Sequence, residues 1–77
     1  MKEMLTLMAQ GLVEDPAAVT VDEDEPDETG LIVYHLHVGE HDMGRVIGKQ
    51  GRIAKAIRAV VTAAANRRSV RVQVEIE

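Results

Sequence analysis

The chain has 77 residues, no cysteine, a single aromatic side chain in Tyr34 and a formal charge of −4. A chain this short buries only about 60% of the surface its unfolded form exposes, so one layer of helices on one small sheet is about all it can hold. The missing thiols exclude disulfides, thiolate metal sites and cysteine nucleophiles, and fit a reducing cytoplasmic setting.

The first segment places Met1, Leu5, Met8 and Leu12 at spacings of four, three and four, with Met4 alongside. That stripe predicts an amphipathic helix over 1–14 packed against a sheet. Polar residues run through it, and no apolar stretch in the chain reaches the roughly 18 residues that cross a bilayer. Neither a signal peptide nor a membrane anchor is expected. Asp15-Pro16 ends the helix, because the residue before a proline is pushed out of the helical region. Ala18 to Val21 then reads as a short strand with Val19 and Val21 on one face.

Asp22 to Gly30 holds six acids, a proline and a closing glycine, the composition of a solvated turn between two strands. Leu31 to Val38 is the clearest strand. Ile32, Tyr34, Leu36 and Val38 share one face, and Leu31, Val33, His35 and His37 the other, so it is placed at the centre of the sheet. Asp42 is expected to N-cap a short helix running through Ile47. Gly48 to Gly51 breaks it. A second helix follows from Arg52 to Ala65, with Ile53, Ile57, Val60 and Ala64 as its buried stripe, Lys55 and Arg58 in solvent, and Asn66 as the left-handed stop. Val70, Val72, Val74 and Ile76 alternate with Arg71, Gln73 and Glu75 as the last strand.

The expected fold is therefore α+β, in the order α-β-β-α-α-β. Strands joined through a helical crossover run parallel, so Leu31 to Val38 should lie parallel to the last strand, with the short first strand antiparallel through the acidic turn.

Charge is divided along this order. Residues 1–42 hold eleven acids against Lys2 alone, a net −10; residues 43–77 hold eight cations against Glu75 and Glu77, a net +6. No acid lies between Met43 and Val74. Such a division predicts a local anion-binding surface, with a repelling surface elsewhere.

The chemistry of that surface concentrates at Arg45 to Arg58. Gly48 and Gly51 carry no side chains, so a sugar-phosphate backbone can approach the main chain closely. The start of the following helix offers unpaired N–H groups and positive partial charge. Arg45, Lys49 and Arg52 add full charges, and Val46, Ile47 and Ile53 flank the turn. Any of these three not consumed by the core would line an apolar groove for bases.

The run Asp42-Met43-Gly44-Arg45-Val46-Ile47-Gly48-Lys49-Gln50-Gly51-Arg52-Ile53 resembles the signature of the KH domain. The element order, with the extra helix and strand first, is similar to the type II, prokaryotic arrangement. The likeness covers nearly the whole chain, and the size and the Leu12-Val13-Glu14-Asp15-Pro16 stretch resemble the small single-domain bacterial KH proteins. It implies a type II KH fold with a three-stranded mixed sheet and helices packed on one face. It also implies one domain over 1–77: a helix at 1–14, two strands and the acidic turn at 18–38, helix-GxxG-helix at 42–65 and the last strand at 69–76.

The implied function is binding of single-stranded RNA, with four backbone nucleotides clamped at the loop as in other KH domains. The implied RNA-binding set is Arg45, Val46, Ile47, Gly48, Lys49, Gln50, Gly51, Arg52, Ile53 and Lys55. Cytoplasmic location, an RNA-chaperone role, links to cell shape, and a homodimer or a heterodimer with a Jag-type KH protein belong to the same resemblance. A single short groove with few phosphate contacts should bind weakly and with strong salt sensitivity.

Other readings are weaker. Gly44 to Lys49 is one residue short of a P-loop, and Gln50 stands where Ser or Thr is required. His35, His37 and His41 lack a clear set of metal ligands, and nothing fixes the geometry of the acids in Asp22 to Glu28 for proton transfer. No enzymatic activity, cofactor, metal or small-molecule substrate is expected. The stacking platform of an RRM needs two or three aromatics, which one tyrosine cannot supply. Tyr34 is assigned to the core. The competing function is a KH-shaped protein-interaction or dimerisation module in which RNA binding is secondary.

Overall fold

The computed structural model describes residues 1–48 and 51–77. Its elements are α1 (Lys2–Leu12), a one-turn 3₁₀ segment (Pro16–Ala18), β1 (Thr20–Glu23), β2 (Leu31–His37), α2 (Glu40–Ile47), α3 (Arg52–Arg67) and β3 (Arg71–Ile76). The order α-β-β-α-α-β is the one expected from the sequence.

The sheet runs β1-β2-β3. β1 pairs antiparallel with β2, Val21 opposite Leu36, and β2 pairs parallel with β3, Tyr34 opposite Val74. The parallel pairing follows from the α2–α3 crossover, which returns the chain to the end where β2 began. α1 and α3 cover one face. Their contribution to the core is Leu5, Ala9, Ile57 and Val61, packed on Val21, Tyr34, Leu36 and Val74 of the sheet. Leu36 is completely buried, and truncating such a residue to alanine typically costs about 2–5 kcal/mol. Tyr34 is in the core as its strand parity requires; desolvation pushes its hydroxyl pKa up.

Three local expectations are corrected. α1 stops at Leu12 rather than at residue 14, because Val13 is already extended and the Glu14 and Asp15 N–H groups turn away to a carboxylate on α2. Pro16 then opens the 3₁₀ turn, its missing N–H costing nothing at that position, so β1 begins at Thr20 rather than Ala18.

The second correction is the buried stripe of α3, which is Ala54, Ile57, Val61 and Ala65; Val60 is 48% exposed. Both stripes contain Ile57 and both obey helical spacing. The helix is rotated so that Ala54, Val61 and Ala65 face inward with Ile57, and Val60 is left outside. Third, Asn66 is inside α3, which continues to Arg67, and Ser69 takes the left-handed conformation at φ 57°.

Candidate functional site

α2 ends on Gly48, and α3 begins immediately after Gly51. Each glycine is required for its own reason. A Cβ on Gly48 would collide with the carbonyl oxygen of Gly44, one turn earlier in α2. Gly51 sits at φ 68°, ψ 29°, the left-handed region that side chains disfavour. Its N–H donates to the Gly48 carbonyl at 2.9 Å, closing the turn. Among the described residues no side chain caps the N-terminus of α3, so the first-turn N–H groups and their partial positive charge face outward without an internal anion. Lys49 and Gln50, both in the expected set, lie outside the described residues.

Gly44, Arg45, Gly48, Arg52 and Ile53 line an open groove of about 360 Å³ beside this turn, a size typical of ligand clefts. Ile53, half-buried, is the apolar residue among these, whereas Ile47 is 53% exposed next to Gly48 in the chain and is not part of the lining. Val46 does not contribute. It is 1% exposed and is the apolar side chain by which α2 is anchored in the interior. Of the three expected apolar residues, Ile53 lines the groove, Ile47 is exposed beside Gly48 in the chain, and Val46 is buried. A larger hollow around Lys2, Glu3, Thr6 and Leu7 follows the surface of α1 alone, away from both glycines.

The cations divide into two groups. Arg52 and Lys55 are exposed on α3. Arg45, by contrast, bends back toward the end of α1: its guanidinium donates to the Leu12 carbonyl at 3.4 Å and lies 3.8 Å from Asp42 and 4.0 Å from Glu14. Its charge is partly answered inside the protein.

Arg58 and Thr62 were not among the expected site residues. Together with Val72, Gln73 and Val74 they line a hollow at the free edge of β3, where Arg58 Nε donates to the Val74 carbonyl at 3.3 Å. The available signal was the spacing of Arg52, Lys55, Arg58 and Thr62, three, three and four apart, which sets one polar stripe along α3 from the glycine turn toward the sheet edge.

Asp42 does not cap its own helix. α2 begins two residues earlier, with Gly39 at the N-cap. The Asp42 carboxylate, completely buried, accepts the Glu14 N–H on one oxygen and the Asp15 N–H on the other, both at 3.0 Å. The Glu14 bond is the main cause that holds the Asp42 carboxyl below the usual carboxylate range, against the opposing effect of burial; the Asp15 bond, His41 and Arg45 add to it.

The histidines are engaged elsewhere. His35 bridges Asp24 at 2.9 Å and Glu77 at 3.0 Å on the outer sheet face, and His37 lies 3.4 Å from Asp22 and 3.5 Å from Glu77. His41 is 2.9 Å from Glu14.

The family model described as KhpA/KhpB, KH domain matches residues 2–76. The chain belongs to that family. Curated relatives called RNA-binding protein KhpA are 51% identical in Clostridium perfringens and 42% in Listeria monocytogenes, over 99% of this chain and 99% and 97% of theirs. In fold, this KH domain is similar to part of Aquifex aeolicus Era bound to GDP and aluminium fluoride, with a TM-score of 0.67 at 22% identity. It is also similar to part of Era in a complex with MgGDPNP and a 16S ribosomal RNA segment, with a TM-score of 0.58 at 23% identity. Each match covers 97% of the KH domain and 28% of the Era chain.

Proposed function

We propose that this KH domain binds single-stranded RNA at the Gly48 to Gly51 turn, with phosphates against the start of α3 and bases in the groove beside it. The observation that carries the reading is the pair of glycines: one leaves no room for a side chain, the other has a left-handed backbone, and they lead into a helix N-terminus that no described side chain caps. The name of the curated relatives supports the same partner. Arg52, Lys49 and Lys55 supply charge, Ile53 the apolar wall, Ile47 an exposed apolar contact beside Gly48 in the chain, and Gln50 a polar contact. Arg45 takes part once phosphate draws it from Leu12 and Glu14. Val46 acts only by holding α2 in place. Arg58 and Thr62 continue the path toward β3.

With four cations at phosphates, the logarithm of affinity should fall against the logarithm of salt with a slope of about −3. Binding by this one groove is weak, so an RNA-chaperone or regulatory role calls for avidity from a second KH subunit, either a copy of this chain or a Jag-type partner. Lys49→Asp combined with Gln50→Asp tests the site. Binding to short single-stranded RNA should disappear in fluorescence anisotropy while circular dichroism is unchanged. Equal affinity in the double variant would show the loop assignment to be wrong.

Val60, 48% exposed, and Leu7, 69% exposed, favour a second use of the domain in subunit association. Sedimentation of the double variant separates the two: association that persists without RNA binding uses a different surface.

A further inference from the structure

α2 is the element that delivers Gly48 to the turn, yet little in its own sequence holds it. It is eight residues long, its N-cap is Gly39 with no side-chain hydrogen bond, and its buried residues are Asp42 and Val46. Isolated helices of this length are unstable in water, so its position depends on those two anchors. They lie four apart, on one face. Val46 packs into the interior without fixing direction, whereas Asp42 makes two oriented bonds to the main chain just beyond α1, at Glu14 and Asp15. Those residues are 27 and 28 positions away in sequence.

We propose that Asp42 is a positioning residue for the RNA-binding turn, its buried carboxylate fastening α2 to the end of α1 so that Gly44 and Gly48 stay in register with the start of α3. The proposal rests on the RNA-binding reading above. A carboxylate suits the position because both oxygens accept and neither donates. An amide would set an N–H₂ group against one of the two N–H donors. Arg45 lies at the same corner before RNA draws it away, reaching Leu12 and lying 3.8 Å from Asp42, whereas the Asp42 bonds to Glu14 and Asp15 do not depend on it. The register matters because the Gly48 carbonyl, at the end of α2, accepts the Gly51 N–H at 2.9 Å and so joins α2 to the start of α3. A small slide of α2 therefore changes where the Gly48 main chain faces a phosphate.

The test compares Asp42→Asn with Val21→Ala, a core truncation on β1 away from the turn, each measured where circular dichroism shows it fully folded. Asp42→Asn should weaken binding of a short single-stranded RNA about ten-fold, within the ordinary range of coupling between sites. Val21→Ala should leave affinity unchanged despite a lower Tm. Unchanged affinity in Asp42→Asn, or equal weakening in Val21→Ala, overturns the proposal. If Asp42→Asn does not fold, the wild-type protein decides. Coupling is reciprocal, so RNA that binds about ten-fold better to the fastened state must slow hydrogen exchange at the Glu14 and Asp15 amides by a similar factor. Unaltered exchange at saturating RNA overturns the proposal. The Lys49→Asp and Gln50→Asp double variant, run in parallel, identifies failure of the RNA-site reading itself, since it would then bind like wild type.

Discussion

Two tight turns in this molecule use a left-handed glycine, Gly30 at φ 85° in the β1–β2 hairpin and Gly51 at φ 68° before α3. They lie at opposite ends of the fold, since the crossover from the end of β2 places the start of α3 away from the hairpin. In the hairpin the chain supplies its own anion: one Asp27 oxygen accepts the Thr29 N–H at 2.8 Å, the Thr29 hydroxyl at 2.7 Å and the Leu31 N–H at 3.0 Å. These bonds, the Thr29 hydroxyl first, hold the Asp27 carboxyl below its usual range. At the Gly51 turn no described side chain caps the following helix, and the nearby charges include Arg52 and Lys55. Backbone geometry is shared; what differs is whether the N–H donors already have an anion. A glycine turn becomes a candidate phosphate site when its donors are left over and the flanking charge is positive.

The largest effect expected from this contrast is in Gly48→Ala. Its methyl group must displace the Gly44 carbonyl, with an overpacking cost of about 1–3 kcal/mol, and RNA binding should fall below detection in anisotropy. Retained affinity would show that close approach of the main chain is not used.

A second, matched pair sharpens the comparison. Gly51→Ala and Gly30→Ala each place a Cβ in left-handed backbone at a cost of about 1–2 kcal/mol. Urea denaturation should report similar losses for both, while RNA affinity drops only for Gly51→Ala. Equal weakening by Gly30→Ala would erase the distinction between the two turns.

The smallest effect concerns pH at the acidic side of the sheet. The hydrogen bonds from Asp24 and then Glu77 raise the His35 pKa from 6.5 to about 9. A raised histidine pKa stabilises the fold fully below the unfolded value, and that contribution is lost as pH rises through the folded one. Tm should therefore decline between pH 6.5 and about 9 in wild type relative to His35→Gln, with RNA affinity of the two proteins equal at pH 7. Parallel Tm profiles would remove His35 from the account.

Much of the fold was legible because its signals are local and redundant. β2 alternates so regularly that Tyr34 and Leu36 could be assigned to the interior, and they are buried there. The glycines were legible as a break between helices. Less legible were features set by one element's rotation against another. Ile53-Ile57-Val60-Ala64 and Ala54-Ile57-Val61-Ala65 are both valid helical stripes, and contact with the sheet and neighbouring helices selects the second. Val46 and Ile47 are adjacent apolar residues of equal claim to the groove, yet one faces the core and the other solvent.

The amino-acid order alone determined the succession of elements, the parallel crossover, the separation of acidic from basic charge and the position of the glycine turn, because each depends on spacing within a few residues or on a general rule of chain connection. Tertiary structure alone decided what Asp42 and Arg45 do. Their partners at Leu12, Glu14 and Asp15 are about thirty residues away, and no local period encodes a hydrogen bond made across that separation.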